Sequence, residues 1–172
     1  MVLNNWWSYL AAIYTNPLST SGAQDLTTGM RNINGELVKL KFLVTGFMSD
    51  NIAQATKINP KLDLSIGLST DNTEPSPNEY YLAGDITSWY NITQNFTTSY
   101  EEGKEITIAE FTAINTDTSV LSRTINSIAI FKNIVTNTGA TAKVLMVREL
   151  LEEPIVVPMQ GTFQRVFKWE SM

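Results

Sequence analysis

VLMVRELLEEPIVVPMQGTFQRVFKWE, residues 144–170, decides whether this chain is all-β or mixed. Taken alone, RELLEEP (148–154) has the composition of a helix. Val144, Met146 and Leu150 also fit strand alternation, and Pro154 and Pro158 then mark turns and an edge, because proline cannot donate to a ladder. Glu152 and Glu153 read as a short acidic turn. Further on, Phe163, Phe167 and Trp169 fall on one face with Arg165, which needs a partner or a rim position there. The stretch therefore predicts strands at 142–151 and 161–170 with a short extended piece at 155–157. It finishes a fold.

Working outward, the same period-2 pattern recurs. In KLDLSIGLS (61–69), Leu62, Leu64, Ile66 and Leu68 face one way and Asp63, Ser65 and Gly67 the other. Further strands are predicted at 37–48, 86–99, 104–114 and 124–134. In the first of these, Val38, Leu40, Phe42 and Val44 oppose Lys39 and Lys41. Asn34-Gly35 signals a hairpin turn before it. Gly103, Asn115–Ser119 and Asn137-Thr138-Gly139 separate later strands. Residues 15–36 read as polar and turn-rich, and 70–85 as a long irregular loop. The only helical spacing is Leu3, Trp6, Trp7, Leu10, Ile13 and Tyr14, with Asn4 or Asn5 as N-cap and Pro17 beyond the end. The expectation is all-β: an antiparallel β-sandwich or jelly-roll-like domain over 21–172, preceded by a short helix or docking arm over 1–20.

Composition narrows the chemistry. At 172 residues the chain fits one domain with a real core. The formal net charge is -5 and the 12 Lys and Arg residues are scattered, which argues against direct nucleic-acid binding. Neither Cys nor His occurs, so disulfides, thiolate or Ser-His-Asp catalysis and the usual zinc sites are excluded. The beginning lacks a basic segment ahead of an apolar core, so a secretory leader is not expected. No apolar run approaches the roughly 20 residues of a membrane helix, and a soluble protein made in the cytoplasm is expected.

The remaining chemistry is weighed residue by residue. Trp6 and Trp7 have two readings, a plug for the open end of the sandwich or an anchor that docks on another subunit. Tyr80, Tyr81, Trp89 and Tyr90 form a candidate sugar-stacking platform. Extended backbone would send the members of each pair to opposite faces and leave half of them in the core. Asp71, Asn72, Glu74, Glu79 and Asp85 offer oxygen ligands without the spacing of a calcium loop, so solvated loop residues are the better account. Glu101-Glu102 and Glu152-Glu153 do not face each other across a cleft, as a glycosidase requires. Asn91-Ile92-Thr93 and Asn95-Phe96-Thr97 match a glycosylation sequon but read as chance strand residues. No catalytic constellation, cofactor site or metal site is expected, and an enzyme is not.

Three segments in order resemble a known group: IGLSTDNTEPSPNEYYL (66–82), ITIAEFTAINTDTSVLSRTINSIAIF (106–131) and 144–170. Gly67, Pro75, Pro77, Tyr80 and Leu82 mark the first. Asn115, Thr116, Ile125, Ile128, Ile130 and Phe131 mark the second, and Arg148, Glu149, Pro154, Gly161 and Phe167 the third. The order is similar to that of virion structural proteins of tailed bacteriophages. NNWWSYLA (4–11) looks like the beginnings of small structural proteins in gut-phage genomes, the crAss-like group included. The chain departs at Ala129-Ile130, where Gly-Leu is frequent, and at Pro158-Met159-Gln160-Gly161, where the glycine has moved within the turn. The resemblance implies a non-enzymatic β-sandwich of the virion, capsid-associated, head-fibre or tail component. It implies multiple copies or a homo-oligomer bound to capsid, portal-proximal or tail subunits, without nucleic acid or membrane as partner. Trp6, Trp7, Tyr80, Tyr81, Trp89 and Tyr90 are the candidate interface residues. The alternative is a carbohydrate-binding or receptor-binding fibre domain.

Overall fold

The computed structural model describes residues 1–14, 24–42, 64–101, 104–136, 138 and 140–170. One helix, α1 (Asn4–Tyr14), is followed by β1 (Gln24–Arg31), β2 (Leu37–Phe42) and β3 (Leu64–Ser69). A 3-10 turn at Thr87–Trp89 leads into β4 (Tyr90–Glu101), β5 (Lys104–Asn115), β6 (Ser122–Val135), β7 (Thr141–Pro158) and β8 (Thr162–Glu170). The fold is all-β and mostly antiparallel, with a short N-terminal helix. The sheets are β1-β2, β3-β6-β7 and β4-β5-β8. The chain divides into two compact units, each drawn from separate stretches.

The first unit comprises residues 1–64, 75–82 and 130–148. Its hairpin pairs β1 with β2 through Gln24↔Phe42 and Arg31↔Leu37, with the register shifting between Thr27 and Arg31. Gly35, at φ 83°, closes the turn by donating to the Asn32 carbonyl at 2.9 Å. Val38 is buried and Lys39 exposed, as alternation predicts. Met1–Leu3 lie antiparallel along β7: Val2 bridges Val147, Arg148 N donates to Met1 O and Leu3 N to Met146 O. Leu3, Met30, Phe131 and Val144–Val147 are buried in this unit.

The second unit, residues 65–74, 83–129 and 149–172, carries the sandwich. β4 and β5 pair without interruption from Tyr90↔Asn115 to Glu101↔Lys104, and β5 pairs with β8 from Ile106↔Glu170 to Ile114↔Thr162. Along this sheet Tyr90, Phe96, Ala109, Phe111, Ala113 and Phe167 are buried. The register sets small against large: Ala109 lies between Phe96 and Phe167, and Ala113 between Ile92 and Phe163. That alternation fills one layer without overpacking it. Side chains of this sheet also reach the other one. Gln94 accepts from Ile66 N at 2.9 Å, and Asn115 donates to Val157 O at 3.1 Å.

Several expectations change. Residues 24–31 form a strand where a turn-rich stretch was expected, because Thr and Gln pair as readily as apolar residues when a partner strand is at hand. The helix begins at Asn4, but the Asn4 and Asn5 amides bind neighbouring elements rather than capping it. Strand 86–99 starts only at Tyr90, behind the 3-10 turn. Most importantly, 141–158 is one strand. Glu152, Glu153 and Pro154 lie inside it, not in a turn, and all three are exposed. β7 is an outer strand of its sheet, where a missing N–H costs little and charges discourage unwanted pairing. Pro158 does end the strand. The expected strand residues 43–48 and 61–63, together with Pro17, Gly103, Asn137, Gly139 and the boundary between residues 20 and 21, lie outside the described residues. The side chains of Leu10, Ile13, Tyr14, Leu40, Phe42 and Trp169 lie outside them as well.

Candidate functional site

In the first unit, α1 separates the two tryptophans. Successive helical residues are turned by about 100°, and here Trp6 is 8% exposed while Trp7 is 52% exposed. Trp6 packs beside Tyr9 with ring centroids 6.3 Å apart. The buried Lys132 places its ammonium 5.2 Å from the Tyr9 ring centre. The helix is held by polar keys. Asn5, 5% exposed, donates through Nδ2 to Leu145 O at 2.9 Å and Arg31 O at 3.1 Å, and its Oδ1 accepts from Arg31 N at 2.8 Å. Close packing on β1 is visible at Gly29, where a Cβ would stand 2.9 Å from the Ser8 hydroxyl.

Residues 75–82 complete this surface. Asn4 donates from its backbone to Pro77 O at 2.8 Å and from its side chain to Asn78 Oδ1 at 2.8 Å. Tyr80 and Tyr81 are not in a strand and do not diverge. Their ring centroids are 5.3 Å apart, and the opposite faces that extended backbone would give do not arise because the backbone bends here. Tyr80 is half-buried over Gly35, and Tyr81 is 51% exposed. Beneath them the buried Arg148 donates to Glu79 Oε1 at 2.8 Å.

In the second unit Trp89 and Tyr90 do part company. Trp89 is 42% exposed, and Tyr90 is interior, its ring edge-on to Phe163 at 6.3 Å. Burial, above all, pushes the Tyr90 phenol upward in pKa; the Arg123 guanidinium opposes this and Asp117 adds to it. Arg123 stacks 4.9 Å from the Trp89 ring centre and donates through Nε to Asp117 at 2.6 Å. Asp117 is almost fully buried and accepts from both the Ser119 N–H and the Ser119 hydroxyl. That hydroxyl is the chief reason its carboxyl is held below the usual carboxylate value, with Arg123 assisting and burial opposing. Asn115, fully buried, donates to Val157 O and Pro158 O and accepts from Asp117 N at 3.0 Å. Thr116 binds Trp89 O through both its N–H and its hydroxyl. The Asn115-Thr116 pair thus ties strand ends together at the foot of Trp89.

The turn after β7 resolves the displaced glycine. Gly161 N donates to Pro158 O at 2.8 Å and Gln160 has φ 59°, the signature of a type II turn with a non-glycine at its third position. Gly161 still has its own requirement, since a Cβ there would sit 2.7 Å from the Pro158 ring.

Trp6 and Tyr90 are therefore interior residues, and an exposed-surface role stays with Trp7, Tyr80, Tyr81 and Trp89. Two of the loop carboxylates make local bonds, Asp71 accepting from Thr73 and Asp85 from Thr87, while Glu79 pairs with the distant Arg148. Glu152 and Glu153 are exposed strand residues; Glu102 lies outside the described residues. Sequence reasoning missed Asn5 and the Arg123–Asp117 pair as determinants of these surfaces. The only signal was their polar character beside apolar runs. Comparison with protein-family models, with curated proteins and with solved structures gives no match.

Proposed function

We propose that the chain is a non-enzymatic bacteriophage virion structural protein that assembles with other capsid or tail proteins, using α1 as an anchoring element. The observation that carries the reading is the split of the tandem tryptophans. Trp6 and Asn5 fix the helix to its own unit, and that fixed helix displays Trp7 outward at 52% exposure. A large aromatic on a rigid support loses little entropy on docking, which suits an interface anchor. The ordered resemblance of residues 66–170 supplies the virion context. The test replaces Trp7 with Ala in the phage that encodes the chain and measures the protein in purified particles. Loss of incorporation with an unchanged melting temperature is expected; normal incorporation overturns the anchor.

A further inference from the structure

The outward face of β4-β5-β8 presents a grid fixed by register. Thr93, Thr112 and Gln164 form one row, and Asn95, Glu110 and Val166 the next. Over these six residues, with Gln94, Phe111 and Arg165 also lining it, lies an open depression of about 450 Å³, within the usual range for small-ligand sites. Among the described residues, the Thr93, Asn95, Glu110, Thr112 and Gln164 side chains hydrogen-bond to nothing in the protein.

Charged side chains and proline are among the devices that keep an edge strand from unwanted pairing. β4 is an outer strand of its sheet, yet its described outward residues are Asn91, Thr93, Asn95 and Thr97, all exposed and all uncharged. Hydroxyls and carboxamides both donate and accept. They therefore match a ligand whose own groups do the same and that carries no charge. Val166, 56% exposed, adds an apolar patch in the same row as Glu110. Glu110 and Arg165, of opposite charge, both line the depression, which therefore favours neither an anion nor a cation.

We infer that this depression is a binding site for a neutral saccharide, with Thr93, Asn95, Glu110, Thr112 and Gln164 bonding its hydroxyls and Val166 meeting a C–H face. The site is distinct from the exposed aromatics, and the inference does not rest on the assembly role. Amide chemical shifts of the full chain, titrated with maltohexaose, cellohexaose and mannohexaose in millimolar excess, test it. Saturable shifts confined to β4, β5 and β8 for at least one sugar are expected. An Asn95→Ala/Gln164→Ala variant should fold normally and bind about tenfold or more weakly, while Trp89→Ala should bind as before. No saturable shift with any of the three sugars overturns the site, as does binding that survives the double variant or vanishes with Trp89→Ala. Loss of the site leaves the Trp7 test of assembly untouched.

Discussion

A buried asparagine makes a clasp inside each unit, Asn5 in the first and Asn115 in the second, and the two settings differ. Asn115 sits at the end of an unbroken β4-β5 ladder and joins backbone that the sheets already bring near. Asn5 sits on a helix that shares no ladder with its neighbours, and its amide alone bonds β1 and β7 at once. The second unit is thus a regular structure with a polar clasp, while α1 is held, among its described side chains, by Asn4, Asn5, Trp6 and Tyr9 rather than by a ladder. An element attached by side chains rather than by a ladder is the one whose outward face can be altered without disturbing a sheet.

The largest expected effect sharpens that contrast. Trp6→Ala should cost roughly 3–5 kcal/mol, as for a buried tryptophan, whereas Trp7→Ala should stay within about 0.5 kcal/mol. Denaturant melts of both variants check this, and equal effects would break the distinction between the anchored and displayed faces of α1.

The two asparagines come next. Replacing either with Ala leaves buried backbone groups unpaired, at about 2–3 kcal/mol. Hydrogen exchange should separate them: Asn5→Ala should expose the α1 amides first, while Asn115→Ala should loosen 116–121 and 159–161 and leave the β4-β5 ladder protected. Uniform loss of protection in both variants would contradict the contrast.

A smaller effect appears with pH. The Asp117 carboxyl is held below its ordinary value of 3.8, so the stability it contributes is fully present above that pH and is lost as pH falls through the lower folded value. Asp117→Asn should therefore flatten the acid limb of melting temperature against pH, and an unchanged acid limb would mean that the Ser119 and Arg123 contacts do not form in solution. Smallest of all, Gln160→Gly should stabilise the chain by about 0.5–1 kcal/mol, because glycine relieves a left-handed backbone at some entropic cost. A destabilised variant would show that the Gln160 side chain has a role of its own.

Much of the second unit was legible in the sequence, because period-2 alternation encodes strands that cover a core on one side. β4, β5, β6 and β8 follow from it; in the first unit the Asn34-Gly35 turn was legible from its residue types alone. β7 was legible only in pieces: Pro154 reads as a break unless the strand is known to lie at an edge, and that depends on tertiary pairing. β1 was missed because TTGMR carries no apolar period. The clasps were not legible at all. Asn5 reaches Leu145 across 140 residues and Asn115 reaches Val157 across 42, and their partners are backbone carbonyls that carry no sequence signal. Of the candidate interface residues, helical geometry already divides Trp6 from Trp7, but only packing against β1 and β7 shows which one points inward.

In the proposed function, α1 is fixed from within through Trp6 and Asn5 and would display Trp7 to another virion protein. The most direct measurement is the copy number of the chain in purified particles carrying Trp7→Ala, taken together with the melting temperature of the isolated variant. Particles that lack the chain and a variant that melts like the unaltered protein are expected. Full copy number in the particle would contradict the proposal.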